Sequence, residues 1–140
     1  MRLFRIRKVG IAVVVLSSLY FSSCEKDESS PQSTSDDRDK FIRSWTCNET
    51  SQQQGTSTYT ITISEDNTSA NTIITKNFYN LGPTTNTMMI VDGNNVTINS
   101  QNISGHIISG SGTYHSTNSL TFSFTVDDGQ SIDNVTISAH

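Results

Sequence analysis

Leu120-Thr121-Phe122-Ser123-Phe124-Thr125-Val126 decides the fold. Its even positions are large and apolar, and its odd positions carry hydroxyls. Side chains on a strand alternate between two faces, so this pattern is a strand with one buried and one wet face. Asp127-Asp128-Gly129 follows as a turn signal. The chain then resumes with Val135, Ile137 and Ala139 on one parity and Asn134, Thr136 and Ser138 on the other. Upstream, Tyr59-Thr60-Ile61-Thr62-Ile63 and Val96-Thr97-Ile98 read the same way, with Asp92-Gly93, Asn94-Asn95 and Asn118-Ser119 as punctuation.

Composition agrees. Residues 41–140 hold 18 Thr, 14 Ser and 12 Asn. These side chains compete for the backbone in helix interiors, whereas Thr suits strands and Asn and Ser suit turns. No stretch shows a 3.6-residue apolar period. The expectation is all-β, with strands near 43–49, 56–64, 71–79, 86–92, 94–99, 105–116, 119–127 and 131–139. The short gaps predict hairpin neighbours, and Gly110-Ser111-Gly112 predicts a bulge or a close backbone approach. Eight strands in a meander leave two bare edges unless the sheet closes on itself. Closure predicts a small antiparallel eight-stranded up-and-down barrel over 41–140. Trp45, Phe78, Phe122 and Phe124 are among the expected inward residues, as are Ile74, Ile90 and Ile107. With so many bulky side chains, the interior is expected to be mostly filled, with any pocket shallow and near an open end.

Residues 1–23 read differently. Arg2, Arg5, Arg7 and Lys8 precede the 13-residue apolar run Val9–Phe21. That run suits a signal peptide and is short of the roughly 20 residues a membrane span needs. Phe21-Ser22-Ser23-Cys24 then presents small residues before a cysteine. Residues 24–40 contain no large apolar residue and read as a flexible acidic tether. Ser35 or Asp36 could cap one helical turn at its end.

All thirteen acidic residues follow Cys24, and only five bases do, leaving a net charge of −8 on the mature chain. A nucleic-acid binder needs clustered Lys and Arg, so that class is excluded.

Two resemblances follow from these residues. Phe21-Ser22-Ser23-Cys24 resembles the lipobox of bacterial lipoproteins, which implies cleavage between Ser23 and Cys24 and lipidation of Cys24. Lys26-Asp27-Glu28 resembles the export signal of surface lipoproteins in Bacteroidota-type bacteria. Together they imply a membrane partnership through a covalent lipid, at the outer face of the cell outer membrane. Phe41-Ile42-Arg43-Ser44-Trp45 resembles the Gly-x-Trp opening of lipocalin-like barrels, which implies that Trp45 plugs the barrel end. Arg43 stands where that family has glycine, and the last strand offers no Arg to stack on Trp45. As a whole, the chain resembles the small lipocalin-like lipoproteins of Bacteroidota.

No reaction is legible. No serine lies in Gly-x-Ser-x-Gly, and His106, His115 and His140 are scattered. Asp127, Asp128 and Asp133 surround one turn without the calcium-loop spacing of an EF-hand. Cys47 shares the inward parity of Trp45 and reads as a small buried apolar group. The expectation is a non-enzyme without cofactor or metal: a binding module for a small apolar or glycan ligand, or alternatively a protein–protein interaction module.

Overall fold

The computed structural model describes residues 36–140. Eight strands form one closed antiparallel barrel: β1 (Ser44–Ser51), β2 (Gly55–Glu65), β3 (Thr72–Lys76), β4 (Asn86–Asp92), β5 (Asn95–Ile103), β6 (His106–Ser116), β7 (Ser119–Asp127) and β8 (Ile132–Ala139). Each strand pairs with its sequence neighbours, and β8 returns to β1 from Cys47↔Ala139 to Ser51↔Val135. Closure gives every edge a partner strand, as the meander requires. Ser104-Gly105 joins β5 to β6 with both residues at positive φ, the geometry that matches hairpin twist.

The structure corrects three expected facings. Ile74, Ile90 and Ile107 point outward, and Ile73, Met89 and Ile108 fill the core in their place. In each case two apolar residues are adjacent, so alternation alone cannot choose between them. The third strand also ends at Lys76 rather than 79. Asn77, Tyr79 and Asn80 take positive φ and turn the chain across the barrel end. Gly110 and Gly112 mark a close approach to β7, not a bulge; the register shifts lie between Ile98 and Gln101 and between Tyr114 and Ser116.

One end of the barrel is sealed. Trp45 lies fully buried there, its Nε1–H donating to the Phe41 carbonyl at 2.9 Å. The Tyr114 ring meets Phe41 and Trp45 edge-on at 5.6 and 6.3 Å. The Arg43 guanidinium lies 3.6 Å from the Trp45 ring centre and covers that ring as a cation.

The chain entering this end is tied down. Asp36 caps a tight turn by accepting the Arg38 N–H at 2.9 Å. Arg38, only 9% exposed, donates to the carbonyls of Asp66 and Ser69 at 3.1 and 2.9 Å. Lys40 donates to the Gly93 carbonyl at 2.9 Å, and Arg43 to that of Thr117. Three bases thus clasp three hairpin connections at one end. The tether read over 24–40 lies outside the described residues as far as 35, and Asp36–Lys40 packs onto the barrel.

Candidate functional site

The other end is built from different chemistry. Strand parity carries Glu49 and Ser51 inward beyond Trp45 and Cys47 on β1, and Asp133 inward before Val135 on β8. Glu49 is 5% exposed and Asp133 4%. Buried carboxylates are costly unless they are hydrogen-bonded, and both are. Tyr59 Oη donates to Glu49 Oε2 at 2.5 Å. Asp133 Oδ2 accepts from Ser51 Oγ at 2.5 Å and Tyr79 Oη at 2.9 Å, and Asp133 Oδ1 accepts the Gln53 N–H at 3.2 Å. Gln54 Nε2 donates to Tyr79 Oη at 2.7 Å. His106 meets the Tyr79 ring edge-on at 6.1 Å.

The two carboxyls titrate in opposite directions. Burial pushes Glu49 above the usual carboxylate value; the Tyr59 and Ser57 hydrogen bonds offset this in part, and the Asp133 charge adds to the rise. Burial also pushes Asp133 upward, but the donors Ser51, Tyr79 and the Gln53 N–H outweigh it and hold it low. Burial, and the hydrogen bond each donates to a carboxylate, raise the phenols of Tyr59 and Tyr79.

A raised carboxyl means the folded state holds its proton more tightly than the unfolded chain. The resulting stability is full below the unfolded value of 4.5 and is lost as pH rises through the folded value. Glu49→Gln keeps an acceptor for Tyr59 and removes the charge. The variant's melting temperature is therefore expected to exceed wild type by a margin that grows with pH above about 4.5. Thermal melts from pH 4 to pH 8 check this, and a constant margin would refute it.

A third element closes this end. Phe78 is fully buried although it belongs to no strand. Its ring lies 5.2 Å from that of Phe122 and 4.6 Å from that of Phe124. Beneath Tyr79 a recess of about 30 Å³ remains, bounded by Gln53, Gln54, His106 and Asp133. This is room for a water molecule rather than a ligand. Larger clefts lie on the outer wall. One of about 510 Å³ and one of about 440 Å³ share Thr50, Ser123 and Thr136. A third, about 290 Å³, lies beside the outward Met88 and Ile90.

Of the residues singled out in the sequence, Ser23, Cys24, Lys26, Asp27 and Glu28 lie outside the described residues. Trp45 lies buried at a barrel end. Asp127, Asp128 and Asp133 do not converge: Asp133 enters the barrel, while Asp127 and Asp128 accept the Gly129, Gln130 and Ser131 N–H groups of the outer turn. Among the described residues, no three His, Cys, Asp or Glu side chains gather as metal ligands. Cys47 is buried and its thiol is pushed up to about 12 by burial, so it stays protonated at neutral pH. Glu49, Ser51, Tyr59, Tyr79 and His106 were not expected as a group. The parity that carried Trp45 and Cys47 inward also carries Glu49 and Ser51, and that was the available signal.

No family model matches the chain, and comparison with curated proteins finds no match. Solved structures do match. One is a redesigned beta barrel, b11L5F_LGL, at 13% identity and TM-score 0.53, covering 75% of this chain and 94% of that one. Another is EF1p2_mFAP2b bound to DFHBI, at 13% identity and TM-score 0.54, covering 75% of this chain and 96% of that one. The likeness is one of fold. It places the chain among small closed barrels, an architecture compatible with a binding module.

Proposed function

We propose that the chain is a non-catalytic binding module, carried on a lipid at Cys24 to the outer face of the outer membrane, that takes a small apolar ligand at one barrel end. The observation that carries this reading is the asymmetry of the two ends. One is sealed by Trp45, Phe41 and Tyr114 and clasped by three bases. The other is covered by side chains from a loop, above buried hydrogen-bonding groups. A fold neighbour bound to DFHBI supports the idea that barrels of this size accommodate small molecules. The signal, Ser23-Cys24 and Lys26-Asp27-Glu28 support the address. One acyl chain anchors marginally and two or more hold stably, so a lipidated amino terminus would keep this acidic domain at a membrane.

A protein-docking reading draws on one observation. Ile74, Met88 and Ile90 form an apolar patch on the outside of β3 and β4, with Met88 51% exposed.

Two measurements test the proposal. Metabolic labelling with a clickable fatty acid is expected to mark wild type and to miss Cys24→Ser. Equal marking of both would remove the anchor. Native mass spectrometry of the domain purified from its own host is expected to show a bound small molecule. A bound protein instead would favour docking through the apolar patch.

A further inference from the structure

We infer that the segment Asn77–Gly82 is a displaceable plug, and that the space held by the Phe78 ring is the seat of a small flat aromatic ligand. This rests on the ligand-binding reading above and names the place and the ligand class.

Four observations point to this segment. First, the β3–β4 connection spans residues 77–85 and is the longest in the barrel, while the strands it joins are short. Second, its attachment is slight. Among the described residues, no backbone-to-backbone hydrogen bond ties 78–85 to a strand; those it makes close on the connection itself, and the Tyr79 backbone also bonds the Tyr59 side chain of β2. It is held by Asn77 donating to the Thr60 carbonyl at 2.8 Å, by the Tyr79 latch to Asp133 and Gln54, and by the Phe78 ring. Its hold is concentrated in the side chains of Asn77, Phe78, Tyr79 and Leu81 rather than in a backbone ladder. Third, the wall beside it is already parted. β4 pairs with β5 only from Ile90 to Asp92, and the Gln101 side chain reaches across to the N–H and carbonyl of Met88 at 2.9 and 2.8 Å. Fourth, this end contains buried polar atoms without a partner in the protein. Thr87 points inward at the start of β4 and is 0% exposed, and its hydroxyl has no partner among the described residues; nor has His106 Nδ1 at the start of β6. Unsatisfied buried polar groups are rare in native proteins.

These observations specify the ligand. The Phe78 ring packs edge-on to Phe122 and tilted on Phe124, so a flat aromatic group can pack in the same place. A polar atom on its edge can meet Thr87, His106 or the Asp133 carboxylate that displacement of Tyr79 leaves free. A plug that occupies its own seat lowers the apparent affinity by the fraction of open molecules, so removing it tightens binding.

Indole is the probe: flat, neutral, and bearing one N–H. It is titrated into the full chain and followed by amide chemical shifts and hydrogen exchange. Wild type is expected to bind with faster exchange at 77–85 and slower exchange in β6 and β7. Phe78→Ala is expected to bind about tenfold tighter or more. Tyr79→Phe, which cuts the latch and leaves no cavity, is expected to bind several-fold tighter and guards against a misfolded Phe78→Ala. Binding with unchanged exchange at 77–85 and no gain in either variant would overturn the plug and leave the binding module standing. No indole binding by wild type or either variant would overturn the seat, and native mass spectrometry showing no small ligand would separately remove the reading beneath it.

Discussion

Gly110→Val is expected to destabilise the domain by at least about 3 kcal/mol, read as a lower urea midpoint or as no folded protein at all. The cause is local. A Cβ at Gly110 would lie 2.4 Å from the Phe124 Cβ and 2.4 Å from the Ser123 carbonyl oxygen. Neither atom is the free end of a flexible side chain. Relief requires β6 to part from β7, whose ladder runs unbroken from Ile107↔Asp127 to Tyr114↔Leu120. Gly112 provides the control. A Cβ there would meet the Phe122 ring at 2.5 and 2.8 Å, which can turn away, and the Thr121 carbonyl oxygen at 2.9 Å, which needs a smaller backbone shift than the 2.4 Å contacts at Gly110. Gly112→Ala is therefore expected to cost about 1–2 kcal/mol. Equal midpoints for Gly110→Val and wild type would show that β6 and β7 are not packed as described. The stability of a domain this size is on the order of 5–15 kcal/mol, so the two costs are separable.

That close approach also shows where sequence reading succeeds. Gly110-Ser111-Gly112 interrupts a strand with two missing side chains at inward positions, and each is opposed by a phenylalanine of β7. The alternation of 119–127 gave that strand its limits, because only one parity is apolar. Ile73-Ile74, Met88-Met89-Ile90-Val91 and Ile107-Ile108 offer both parities, and there only the neighbouring strands decide which enters the core. The candidate site was legible in part. Extending the β1 parity from Trp45 reaches Glu49 and Ser51, and extending the β8 parity back from Val135 reaches Asp133. Carboxylates are rarely buried, which argues against reading them inward until their donors are known. Those donors come from β1, from β2 and from the connections that follow β1 and β3, and no local pattern announces that Tyr79 adopts positive φ and reaches across to β8. The flanking Asn77 and Asn80, residues that tolerate this conformation, are the only hint. Arg43 on Trp45 was nearer to hand, since residues two apart on a strand share a face. The three-base clasp was not legible, because it depends on which turns closure brings to one end.

Trp45→Ala is expected to cost about 3–5 kcal/mol, as large-to-small changes in well-packed cores do. Trp45 is 0% exposed, and its removal leaves the Phe41 carbonyl without its donor, Tyr114 without an edge contact and Arg43 without the ring it covers. The surroundings cannot collapse into the gap, because Arg38, Lys40 and Arg43 hold the entering chain to three separate connections. Phe78→Ala removes a ring of similar burial at the opposite end, where 78–85 makes no backbone-to-backbone hydrogen bond to a strand. That connection yields more readily than the clasped Trp45 end, so its cost is expected to fall about 1–2 kcal/mol below that of Trp45→Ala. Urea unfolding of the two variants side by side measures the difference. Equal costs would mean that both ends are equally rigid, and the asymmetry that assigns structure to one end and binding to the other would lose its mechanical basis. A larger cost for Phe78→Ala would reverse the assignment and direct the search for ligands to the Trp45 end.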